Sequence, residues 1–259
     1  MCIGFLGLGT MGTPMALNLA REFFITVWNC NLSKYPYLIA YAGNQRWAQP
    51  RLRLVRDLDV IFMMLFDAIA ISDVLVDLKI PLAGKTHYLA KEVSQVGGRF
   101  VEMPVSGSKL PAEKGQLVAM LAGDADVAEE IRPVTKPIAS AAVYCGPIGY
   151  GLRTKYAANL YLITLTVGLA ESMNLARAQG LDLAILEEVL SVGPMASVYA
   201  RNKMAKAISG DWSPQAAIKD CHNSSKLICA EADASTATKA GFGEDMIAVI
   251  KILSQSKPN

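Results

Sequence analysis

The chain begins Met1-Cys-Ile-Gly-Phe-Leu-Gly7-Leu-Gly9-Thr-Met-Gly12. Apolar Ile3, Phe5 and Leu6 read as a strand that runs into a Gly-x-Gly-x-x-Gly turn. Beyond the turn, Met15, Leu17 and Leu19 carry a helical pattern. Strand, glycine turn and helix in that order form a dinucleotide-binding fingerprint. Gly7 allows the tight turn, Gly9 lets the backbone approach a pyrophosphate, and Gly12 lets the helix pack close to the strand. The phosphates are expected at the helix N-terminus, where unpaired N–H groups and the helix dipole favour an anion. Cofactor-binding residues on this turn are Gly7, Leu8, Gly9, Thr10, Met11 and Gly12.

Working outward, the first half alternates strand and helix signals. The first helix is expected to run to about Glu22, followed by a strand at Ile25–Trp28. Asp59–Leu65 is a continuous apolar run, as a strand buried on both faces would be. Further strands are expected at Arg99–Pro104, Leu117–Leu121 and Ala142–Tyr144. Such alternation predicts an α/β fold with a doubly wound parallel sheet. After Gly151 the character changes. Leu152–Gln179 holds no helix breaker but Gly168, and Gly180 is placed to cap it. That predicts one helix of roughly 27 residues, ~40 Å long. Asp182–Val192, Ser197–Ile208 and Pro214–Ala232 read as three more helices. The organisation expected is a Rossmann-type domain over 1–148 and an all-helical domain over 149–259, beginning with a long interdomain helix.

Composition bounds the function. With 52% hydrophobic and 19% charged residues the chain can bury a full core. A net charge of +2 gives no reason to expect a nucleic-acid or membrane partner. Cys2, Cys30, Cys145, Cys221 and Cys229 are scattered without a C-x-x-C pair. They read as reduced thiols of a cytoplasmic protein, and no metal site is expected. The apolar N-terminus reads as a first strand and not as a signal peptide. The apolar surface of the long helix around Tyr161, Leu165 and Leu169 suggests a homodimer or homotetramer.

The end of the second strand bears on the choice of cofactor. A carboxylate there would accept a hydrogen bond from a ribose 2′-hydroxyl. This chain instead has Asn29-Cys30-Asn31-Leu32-Ser33-Lys34. Amides, a hydroxyl and a cation suit a 2′-phosphate, so NADP is expected over NAD. Asn29, Cys30, Asn31 and Lys34 join the cofactor-binding residues, as do Met64 and Leu65 at the end of the third expected strand.

Two more motifs follow in order. One is Phe100-Val-Glu-Met-Pro104-Val-Ser106-Gly107-Ser108-Lys-Leu-Pro-Ala-Glu-Lys-Gly115. The other is Gly146-Pro-Ile-Gly149-Tyr-Gly151-Leu-Arg-Thr-Lys155-Tyr-Ala-Ala-Asn159. With the first glycine turn they resemble the β-hydroxyacid dehydrogenase family over nearly the whole chain. Pro104–Lys109 and Val27-Trp28-Asn29 are most similar to its glyoxylate and succinic semialdehyde reductase branch. The resemblance implies hydride transfer between NADPH and a small aldehyde or 2-oxo/β-hydroxy acid. Lys155 would be the general acid. Asn159, four residues on and on the same helix face, would orient the substrate oxygen. Ser106, Gly107 and Ser108 would bind a substrate carboxylate.

The chain also departs from that family. Relatives carry a strand ending in Ser-Thr between the Gly84-Lys85 and Gly97-Gly98 regions, and this chain is too short there to hold it. Asn223-Ser224 stands where relatives have a Lys-Asp pair, with Lys219 and Lys226 nearby. These departures imply weak turnover. They keep open a dinucleotide-binding scaffold with impaired catalysis. The imine reductases resemble the family in fold and fingerprint, but they usually lack a lysine at the Lys155 position.

Overall fold

The computed structural model describes residues 1–30, 45–47, 58–65, 86–95, 97–213, 222, 225 and 228. The chain divides into two compact units, Met1–Lys155 and Tyr156–Asn259.

The first unit opens with β1 (Cys2–Leu6), α1 (Gly12–Leu19), β2 (Phe24–Trp28), β3 (Gln45–Trp47) and β4 (Val60–Met63). These strands form a parallel sheet in the order β3-β2-β1-β4. The order places β1 centrally, and Ile3 and Phe5 are fully buried. Met15, Ala16 and Leu19 of α1 pack on the same core. The helix ends at Leu19, short of Glu22. The next residues close as tight turns, with Arg21 and Glu22 donating to Asn18 and Leu19. The Asp59–Leu65 run is not buried on both faces as expected: within β4 only Phe62 is buried. Among the described residues β4 pairs with β1 alone.

After α2 (Thr86–Gln95) come β5 (Val101–Glu102), β6 (Val105–Ser106), α3 (Lys109–Glu113), β7 (Leu117–Gly123), α4 (Ala125–Ile131) and β8 (Ala139–Gly146). Among the described residues no strand lies between β4 and β5 in the chain. The expected parallel sheet is present as β3-β2-β1-β4, and the second sheet adds antiparallel pairs. β7 and β8 are parallel, but β5 and β6 run antiparallel to β7. The reason is the connection. Only Gly107–Gln116 joins β6 to β7, and a parallel crossover needs about a dozen residues or more. β5 and β6 share one register against β7, as a single strand would if interrupted at Met103-Pro104. Proline has no N–H to give a ladder. Its carbonyl still accepts from Met120 N–H at 2.9 Å. The fold is thus α/β with flanking helices, parallel in its first sheet and mixed in its second.

α5 (Tyr150–Ala178) spans the division between the units. In the second unit it is followed by α6 (Leu183–Val192) and α7 (Val198–Ser209). The sequence fits these boundaries closely because each helix has its cap. Asp182 accepts from Ala184 N–H at 2.9 Å, and Ser197 accepts from Ala200 N–H at 3.0 Å. Past α5, Gly180 and Leu181 N–H return to Arg177 and Ala176 carbonyls. Leu169, Met173, Ala200 and Met204 form this unit's core. Of the expected Pro214–Ala232 helix, only His222, Ser225 and Ile228 are described, all three helical. No helix of the described residues is long and apolar enough to cross a membrane.

Candidate cofactor and substrate site

The glycine turn sits between the ends of β1 and β2 and the start of α1. Gly7 has φ +98°, a conformation that side-chain-bearing residues rarely adopt. Its N–H donates to Trp28 O at 2.9 Å, locking the turn to β2. A Cβ on Gly7 would lie 2.2 Å from Met64 O, and one on Gly12 would lie 1.9 Å from Gly7 O. The protein's own packing therefore requires both glycines. Gly9 differs: a Cβ there meets no protein atom within 4 Å, and the residue is exposed. Nothing in the protein itself demands a glycine at this position, whereas a ligand lying on the backbone would.

The turn is preorganised. Leu8 N–H donates to Asn29 Oδ1 at 2.9 Å, and Thr13 Oγ1 donates to Leu8 O at 3.0 Å. No side chain caps the N-terminus of α1, and no acidic residue lies in its first turn. That leaves the helix end suited to an anion. Thr10 is exposed, Met11 is half-buried as N-cap, and Leu65 Cδ2 lies 3.1 Å from a Cβ built on Gly7. Gly7 to Gly12, Asn29, Met64 and Leu65 thus form one neighbourhood. Cys30 is exposed just beyond Asn29. Asn31 and Lys34 lie outside the described residues. These observations fit a dinucleotide whose pyrophosphate lies over Gly9, against the start of α1.

The second and third motifs meet in the first unit. Ser106 ends β6, and Gly107 follows at φ +132°. A Cβ on Gly107 would lie 2.6 Å from Leu117 Cδ2 and 3.2 Å from Pro111 Cβ. Ser108 is the N-cap residue of α3, although its hydroxyl makes no capping bond. Gly151, in the first turn of α5, is buried against Glu102, Pro104 and Met120; a Cβ there would lie 3.0 Å from Glu102 Oε2. Lys155 lies one helical turn beyond Gly151 and is half-buried. Burial pushes its ammonium pKa below the ordinary lysine value. Asn159 is half-buried four residues further along α5. The Asn223-Ser224 pair, Lys219 and Lys226 lie outside the described residues.

Two buried polar side chains near these segments had no signal in the residue pattern. Glu102 is 4% exposed, and neither carboxylate oxygen has a hydrogen-bond partner. Asn18 is 3% exposed and bonds to the backbone of α3. No local feature announces a partner 94 residues away. The large apolar side chains Leu110, Met195 and Trp212 are exposed. The Tyr199 hydroxyl is paired with Thr166 Oγ1 at 2.7 Å.

The family described as the NAD binding domain of 6-phosphogluconate dehydrogenase matches residues 2–86 and 72–146, in two overlapping pieces. Glyoxylate/succinic semialdehyde reductase 1 of Arabidopsis thaliana is 30% identical over 250 residues, which is 90% of this chain and 86% of that protein. Among solved structures, Psf3 in complex with NADP+ and 2-OPP superposes with a TM-score of 0.79 at 23% identity, over 97% of this chain and 93% of that one. A 3-hydroxyisobutyrate dehydrogenase from Salmonella typhimurium gives 0.76 at 20% identity, over 98% and 92%. An imine reductase from Pseudomonas sp. gives 0.67 at 18% identity, over 97% and 99%. Fold and turn together define a dinucleotide-binding oxidoreductase. The chain belongs to the β-hydroxyacid dehydrogenase family, and it is an NAD(P)-dependent dehydrogenase or reductase.

Proposed function

We propose that this chain is an NADP-dependent reductase of small aldehydes and 2-oxo acids bearing a carboxylate, such as glyoxylate or succinic semialdehyde. The observation that carries the reading is a half-buried lysine, Lys155, with its pKa lowered by burial, in the third motif at the head of α5. A carbonyl reduction needs such a proton donor, with a pKa drawn toward working pH. The Lys155 ammonium gives its proton to the carbonyl oxygen, and the Asn159 amide holds that oxygen in line. Ser106, Gly107 and Ser108 take the carboxylate on hydroxyl and N–H donors. Thr10, Met11 and Gly12 at the start of α1 hold the dinucleotide phosphates, over the space left open at Gly9. The reduced nicotinamide, when bound, supplies the hydride to the carbonyl carbon. The preference for NADP rests on the sequence after β2, where no carboxylate stands among Asn29, Cys30, Asn31 and Lys34. We assign 1–148 to dinucleotide binding and 149–259 to substrate binding and self-association as a homodimer or homotetramer. Scattered cysteines without a disulfide spacing support a cytoplasmic setting.

NADPH oxidation with glyoxylate, succinic semialdehyde and a cyclic imine tests the reading. Turnover with the first two and not the third is expected. Gly9→Val is expected to fold and to lose binding of NADPH and NADH alike. A second reading, a scaffold that binds the dinucleotide without turning over, is favoured by the sequence between Gly84-Lys85 and Gly97-Gly98, which is too short for the strand ending in Ser-Thr that the family resemblance implies. NADPH binding with no turnover of any of the three substrates would establish it instead.

A further inference from the structure

Among the described residues the buried polar side chains are Asn18, Glu102 and Thr135. Asn18 stands in the last turn of α1, the helix that begins at the glycine turn. Its Nδ2 donates to Ala112 O at 2.9 Å and to Glu113 O at 3.4 Å, both in the last turn of α3. Ala112 O also accepts from Gly115 N–H at 3.3 Å, so the Asn18 amide adds a second donor at the end of a short helix. The two helices are anchored unequally. α1 buries Met15, Ala16 and Leu19 in the core and holds its place without help. α3 is five residues long and buries only Ala112, while its Leu110 is exposed.

The position of α3 in turn shapes Ser106-Gly107-Ser108. Ala112 N–H donates to Ser108 O at 3.0 Å, so the loop runs directly into the helix. Pro111 packs on Gly107, where an added Cβ would lie 3.2 Å from Pro111 Cβ. If α3 shifts, Gly107 loses Pro111, one of the two side chains packed against it, and keeps Leu117. One buried amide therefore links the dinucleotide helix to the segment carrying the loop donors.

We propose that Asn18 is a positioning residue for the Ser106–Ser108 loop, holding its donors in register with the dinucleotide turn. This rests on the reading of that loop as the carboxylate site. The test is steady-state kinetics and NADPH titration of Asn18→Leu, which keeps the side chain's branched shape and removes the donor, with Asn18→Gln and Ser108→Ala alongside. For Asn18→Leu the KM for glyoxylate is expected to rise roughly three- to tenfold, the loss of a hydrogen bond of average strength. Its kcat and its Kd for NADPH should change by less than about twofold, the pattern of lost substrate binding. For acetaldehyde, which has no carboxylate, kcat/KM should stay near the parent value. Asn18→Gln keeps the carboxamide and should recover part of the lost affinity. An unchanged KM in Asn18→Leu, a matching loss of NADPH affinity, an equal loss for acetaldehyde, or Asn18→Gln as impaired as Asn18→Leu would each overturn the proposal. Ser108→Ala separates the two ideas. If it raises KM and Asn18→Leu does not, the clamp fails and the loop reading stands. If Ser108→Ala leaves KM unchanged, the loop reading itself fails.

Discussion

The two units bury their apolar residues very differently. In Met1–Lys155 one cluster runs from Ile3 and Phe5 through Met15 and Leu19 to Leu117, Ala119 and Ile138, most of it with no exposed surface. In Tyr156–Asn259 the described core is Leu169, Met173, Ala200 and Met204, and α6 has no buried residue at all. Ile185, Val189 and Val192 on α6 and Tyr161 and Leu175 on α5 are all exposed. A sheet covered by helices gives each strand a large apolar neighbour to pack against. Helices that meet along narrow stripes leave their other faces bare. The described part of the unit that would hold the dinucleotide is therefore closely packed on its own core. The helical unit offers apolar surface for whatever it binds, in keeping with its proposed role in substrate binding and self-association.

Core truncations measure that contrast. Phe5 is fully buried and stacks on Phe62 with ring centroids 6.1 Å apart. Phe5→Ala should cost about 3–5 kcal/mol in urea unfolding. Met204, 1% exposed but set in a small cluster, should cost about 2 kcal/mol on truncation to alanine, the low end for a buried methionine. Equal costs would break the comparison. Ile185 is 62% exposed, and Ile185→Ser should change stability by no more than about 0.5 kcal/mol in dilute, unassociated protein. A larger loss there would show that the helical core extends over α6.

Local demands were legible in the sequence and long-range ones were not. Gly7 and Gly12 could be read because their requirement lies within the turn itself, and the structure gives them the backbone conformation and close contact that the pattern implies. The starts of α6 and α7 were legible because Asp182 and Ser197 cap the residues immediately after them. The direction of β5 and β6 was not, since alternating elements suggest parallel strands unless the length of each connection is weighed. Asn29 shows the same limit at the candidate site. The pattern assigned it to the cofactor ribose, yet its Oδ1 holds Leu8 N–H and thereby shapes the phosphate turn. Asn18 and Glu102 were invisible for a related reason. A polar residue's burial depends on elements far away in the chain, and neither side chain belongs to a recognisable spacing.

The most direct test of the proposed chemistry is the pH dependence of NADPH-driven glyoxylate reduction by the parent chain and by Lys155→Ala. Burial disfavours the charged lysine, so its folded pKa lies below 10.5. The acid form is the active one and is lost as pH rises through that lowered pKa. The stability sign runs the other way: the cost of burying the charge is relieved as pH rises between the folded pKa and 10.5, so the parent gains stability across that window. The parent's kcat should therefore fall on a basic limb with its midpoint below 10.5. Lys155→Ala should lose that limb together with about 10²–10⁴-fold in kcat, while its Kd for NADPH stays near the parent's. A Lys155→Ala variant with near-parental kcat and the same basic limb would contradict Lys155 as the proton donor.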